Sequence, residues 1–101
     1  MKNDRFWLAI VALVTYEKDV RHRVALACQI LEPMRQNELP KDLWDRLEVV
    51  KKEAGKKGVL SNSNSEVIKD RYENTIILRH NKTYSKLAKE IFSIYEEFNN
   101  N

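Results

Sequence analysis

Residues 4–34 read DRFWLAIVALVTYEKDVRHRVALACQILEPM, and the spacing of the apolar side chains in this stretch decides the fold. Phe6, Ile10, Leu13, Glu17, Val20, Val24, Ala27, Leu31 and Met34 follow one another at alternating steps of four and three. That is the period of one helix face, interrupted by a single polar residue, Glu17. Asn3 or Asp4 suits the cap at its start. Pro33 has no backbone N–H and restricts the residue before it, so the pattern stops near Leu31 or Glu32. The reading is one long helix over about 4–32. Twenty-eight residues of helix run roughly 42 Å, about three times the radius of gyration of a compact domain of this length. An elongated molecule follows.

The first half of that helix carries a second feature. Trp7, Leu8, Val11 and Val14 lie off the seam, so the stretch from Phe6 to Val14 is apolar nearly all round. A helix apolar on every side is buried on every side. A chain of 101 residues offers few segments to cover it. Phe6, Trp7, Ile10, Val11 and Val14 are therefore the candidate partner or oligomer interface, with a homodimer as the favoured assembly.

Working outward, Pro40 opens a shorter helix over about 40–54, in which Leu43, Leu47, Val50 and Ala54 form the inner stripe, widened by Trp44. Gly55 ends it, and Lys51 and Lys52 complement its carboxyl-terminal dipole. Residues 55–63 read as a mobile loop. Ser63 and Glu66 have the spacing of a capping box, which opens a third helix over about 64–80 with Val67, Ile68, Tyr72, Ile76 and Ile77 apolar. A strict seam then runs through Ile77, His80, Tyr84, Leu87, Ile91, Ile94 and Phe98, giving a helix over about 83–98. The stripe shifts by one residue near 77–83, where Asn81 and Thr83 lower helix propensity. The last two segments form either one kinked helix or two.

Composition agrees with this pattern. A hydrophobic share of 43% excludes disorder, and two Gly with two Pro in 101 residues are too few for the turns of a sandwich or barrel. Nothing alternates with period two for long enough to make a strand. The expected fold is all-α: an elongated three- or four-helix up-and-down bundle, one domain over 1–101, with a long helix 1, a short helix 2 and a long kinked or split carboxyl-terminal helix.

The net charge of +3 is localised. Residues 1–50 and 59–101 are each balanced, and the surplus lies in 51–58, four lysines against one glutamate. Lys51, Lys52, Lys56 and Lys57 are the candidate nucleic-acid contacts, although binders usually spread their cations along a whole face. Cys28 is the only cysteine, so no intrachain disulfide forms and a reducing, cytoplasmic setting is expected. The apolar run at 6–14 is far short of the roughly 20 residues that span a bilayer, and no membrane partner is expected.

No arrangement of residues assembles a chemistry. Glu17 on the seam is either an acid–base group, a register-setting polar contact, or simply the exposed end of a stripe paired with Arg21. His80 reads as a satisfied core or interface residue. Asp19 and His22 have the carboxylate-x-x-His spacing of a metal ligand pair, once only and flanked by arginines, so no metal and no cofactor are expected. Cys28 reads as a small hydrophobe. Arg21, His22, Arg23, Arg71, Arg79 and Lys82 could clamp an anion, but a solvated face explains them more simply. Gly55-Lys56-Lys57-Gly58 lacks the spacing of a phosphate loop. The functional expectation is a non-enzymatic interaction module, a small regulator or adaptor working through an apolar helix surface. The alternative is a nucleic-acid-associated protein using the segment 51–57.

Overall fold

Asp19 stops the amino-terminal seam from running as one helix. Its carboxylate accepts from the backbone N–H of Arg21 at 3.0 Å and of His22 at 3.3 Å, which caps a new helix start. The computed structural model of the chain describes residues 4–76 and 80–100; Asn3, Ile77, Arg79 and the side chain of Ile68 lie outside the described residues. In place of the expected helix over 4–32 stand α1 (Asp4–Thr15) and α2 (Val20–Leu31), joined by the turn at 16–19. The Arg5 side chain donates to the carbonyl of Ile30 and that of Arg23 to the carbonyl of Leu13, so the two helices run antiparallel.

The reversal at 16–19 has an energetic cause. A 42 Å rod would leave the seam of each half without a neighbour. Folded back at 16–19, Phe6, Ile10 and Leu13 enter one core with Val24, Ala27 and Leu31. The larger of these side chains each gain about 1.5–3 kcal/mol on full burial. The few helical hydrogen bonds surrendered at the turn are worth about 0.5–1.5 kcal/mol each, net.

A 3₁₀ turn (Gln36–Glu38) leads to α3 (Lys41–Ala54), where Leu43, Leu47, Val50 and Ala54 are buried as their spacing requires. The carboxyl-terminal helix, α5 (Asn81–Asn99), turns Tyr84, Ile91 and Ile94 into the same core. Arg46 of α3 fastens the two helices by donating to Glu90 at 2.9 Å and to Glu97.

The expected helix over 64–80 does not form. Leu60–Ser61 (β1) and Val67–Lys69 (β2) pair antiparallel, Leu60 opposite Lys69 and Ser61 opposite Val67, and only the short α4 (Arg71–Thr75) follows. The amides expected to bond Ser63 are taken elsewhere. Asn62 Oδ1 accepts from the N–H of Asn64 at 2.9 Å and of Glu66 at 3.0 Å, while the Asn62 N–H donates to the Glu66 carbonyl at 2.9 Å. Ser65 takes φ 63°, outside the right-handed helical region. The loop at 55–63 is also fastened. Thr75 Oγ1 accepts from the Lys57 N–H at 3.0 Å, and the Asn74 amide donates to the Gly58 carbonyl at the same distance.

The result is a mostly helical chain whose helices pack on one another, an all-α bundle as the sequence implies. Its principal extents are 46 × 27 × 20 Å. Elongation therefore holds, without the single long helix that first suggested it.

Candidate functional site

The inner and outer arcs of α1 are both apolar. Phe6, Ala9, Ile10, Ala12 and Leu13 point inward and are buried. Phe6 packs its ring 5.3 Å from Tyr95 and 6.4 Å from Phe98, centroid to centroid. Phe6 and Ile10 are thus core residues, which corrects their place in the expected interface. The amino end of α1 finds the aromatic carboxyl end of α5 within the same chain.

The opposite arc stays uncovered. Trp7 is 52% exposed, Leu8 56% and Val14 66%, with Val11 half-buried between them. Residues 7, 11 and 14 stand at steps of four and three and form a second stripe; Leu8 widens it. The turn at 16–19 brings no side chain back over them. Trp7 leans against Tyr95, with ring centroids 6.2 Å apart. Three residues before Tyr95 on α5, Phe92 is 44% exposed. Leu8, legible as an off-seam residue, was missing from the expected interface. Phe92 is an exposed aromatic one turn from Tyr95, the residue that Trp7 meets.

The basic segment does not act as a unit. Lys51 is buried, 4% exposed, with its ammonium 3.4 Å from Glu48, 3.9 Å from Glu32 and 5.1 Å from the centre of the Trp44 ring. Its charge is consumed inside the fold, so it leaves the set of candidate phosphate contacts. Lys52, Lys56 and Lys57 remain exposed.

Lys51 belongs instead to a cluster that ties α2 to α3 and α4. Glu32 accepts from Arg71 at 2.9 Å and from the Tyr72 hydroxyl. Burial pushes the Glu32 carboxyl up, but the hydrogen bonds from Tyr72 and Arg71 outweigh it, and the net direction is downward. Burial and the Glu32 bond drive the Tyr72 hydroxyl well above the ordinary range. Arg71 lies so close over Gly55 that a Cβ there would sit 2.6 Å from its Cδ. This cluster holds elements together. Sequence reading missed it because its members are far apart along the chain.

The remaining candidates are not brought together in one site. Glu17 is exposed in the turn, and Arg21 pairs with Asp19 at 3.0 Å rather than with Glu17. His80 is exposed ahead of α5, off the core, which corrects its expected place on a buried seam. The Asp19–His22 spacing serves the cap of α2: His22 Nδ1 donates to Asp19 Oδ1 at 3.1 Å. Hydrogen bonds from Arg21 and His22 hold the Asp19 carboxyl well below the usual range. Cys28 is enclosed, and burial pushes its thiol up to about 12. A groove of about 140 Å³ beside His22 is lined by Tyr16, Gln29 and Glu73 but by no serine, threonine or cysteine. A larger one, about 350 Å³, borders Trp44 and the exposed Lys41–Asp45 pair. Among the described residues no group of three or more His, Cys, Asp or Glu could hold a metal ion, and no helix is long and apolar enough to cross a membrane.

The uncovered apolar arc of α1 is thus the strongest candidate site. No family model, curated protein or solved structure matches the chain.

Proposed function

We propose that this protein is a non-enzymatic interaction module, a small cytosolic regulator or adaptor that self-associates through the outer face of α1. One observation supports the reading above the others. A single helix presents two apolar arcs, and the chain's own core occupies only one. Large apolar side chains gathered on one exposed face cost free energy in water at about 25 cal/mol per Å², and a contiguous patch of them marks a contact surface. The nucleic-acid reading has less support, because Lys51 is spent within the fold.

Light scattering on the full chain tests the proposal. Trp7→Asp with Val14→Asp places two charges on the exposed stripe and leaves the buried side chains of α1 in place. The assembly state is expected to fall, with helicity by circular dichroism retained. A wild-type chain that stays monomeric up to about 1 mM, where only associations weaker than about 4 kcal/mol escape detection, removes the proposal.

A further inference from the structure

We infer that the occupant of the α1 face is a second copy of this chain, its α1 lying antiparallel to the first and crossing it at Val11. The inference rests on the proposed self-association and specifies its geometry. Counted along the chain from Val11, Leu8 and Val14 stand three residues to either side, and seven away stand Asp4 and Lys18, opposite in charge and both exposed. Trp7 and Thr15 stand four away; Arg5, six away, donates to the Ile30 carbonyl on α2 and lies off this face.

An antiparallel pair centred on Val11 therefore sets Leu8 against Val14 of the other copy. It also brings Asp4 toward the other copy's Lys18 at both ends. Asp4 lies on the same arc as Trp7 and Val11, and Lys18, in the turn after α1, has a long flexible side chain to close the distance. A parallel pair would instead oppose Asp4 to Asp4 and Lys18 to Lys18. A two-fold interface requires a self-complementary patch, and this face is one. The face is also small. One stripe of four apolar side chains falls short of the roughly 800 Å² per partner of a standard interface, so the dimer is weak and concentration-dependent, with association in the micromolar range.

The test uses the chain from about 1 µM to about 1 mM in low salt. Val11→Cys sits on the two-fold axis and is expected to yield a disulfide-linked dimer under mild oxidation. The wild type, whose Cys28 is enclosed, yields none. Asp4→Lys and Lys18→Asp are each expected to weaken dimerisation roughly tenfold by sedimentation, since each turns two attractions into two repulsions. The double reversal Asp4→Lys with Lys18→Asp is expected to return within about threefold of wild type, a rescue that neither a parallel dimer nor a loss of α1 structure would give. A dimer broken by Trp7→Asp with Val14→Asp, yet neither cross-linked through Val11→Cys nor rescued by the double reversal, overturns the antiparallel pairing and leaves self-association standing. A monomer throughout overturns both.

Discussion

Glu32 shows how a half-exposed carboxylate can govern the stability of the chain. Tyr72, Arg71 and Lys51 converge on it from α3 and α4, and Glu90 meets Arg46 in the same way across α3 and α5. Both carboxyls titrate below their ordinary value of 4.5 in the folded chain: Glu32 as the net of opposing burial and hydrogen bonding, Glu90 through its hydrogen bond from Arg46. The unfolded chain therefore binds more protons than the folded one as pH drops through and below 4.5, and stability falls with it. The urea midpoint is expected to be constant near neutrality and to decline from about pH 5 downward. Glu32→Gln is expected to lower the midpoint at pH 7 by roughly 1–2 kcal/mol of stability and to reduce the acid-side decline. An unchanged acid profile in that variant would assign the decline to other carboxylates.

At the scale of elements, the period of the first 34 residues placed its apolar seam inside correctly and the connection wrongly, though Ala9, Ala12, Ala25 and Cys28 off that seam are buried as well. Every apolar residue expected on the seam from Phe6 to Met34 is at least partly buried. Only the chain's reversal at 16–19 was hidden, because a four-residue turn preserves the steps of four and three and contains neither glycine nor proline. The one local signal was Asp19, read for its spacing to His22 instead of for its capacity to cap. Asp19→Ala is expected to cost about 1 kcal/mol, the usual worth of a helix cap, read as a lowered urea midpoint with the dimer contact unaffected. A change below a few tenths would mean that core packing alone sets the reversal. The hairpin at 60–69 was illegible for a different reason. Ser63 and Glu66 do satisfy the capping-box spacing, and what decides against it is the side chain of Asn62 together with the left-handed backbone of Ser65.

For the whole molecule, the sequence carried the fold class and half of the candidate site. α3 and α5 stand within two residues of their expected ends, since each carries a single apolar seam, bracketed in α3 by Pro40 and Gly55. The amino-terminal apolar surplus was also legible, but its division between Phe6 and Ile10 inside and Trp7 and Val14 outside depends on where α5 ends, which no local pattern encodes. Nor could the sequence show Lys51 going inward: Glu48 is its neighbour on α3, but Glu32 comes from another helix.

One enclosed sulfur atom makes all this measurable without an added label. Cys28 is sealed on the inner face of α2, and burial disfavours its thiolate. Alkylation is expected only when the core opens, so its rate, followed by mass increase, should slow in step with each stabilising condition. Modification as fast as that of an unfolded peptide would mean that the centre of the bundle breathes freely. Otherwise the lone thiol is a built-in clock for how often the bundle comes apart.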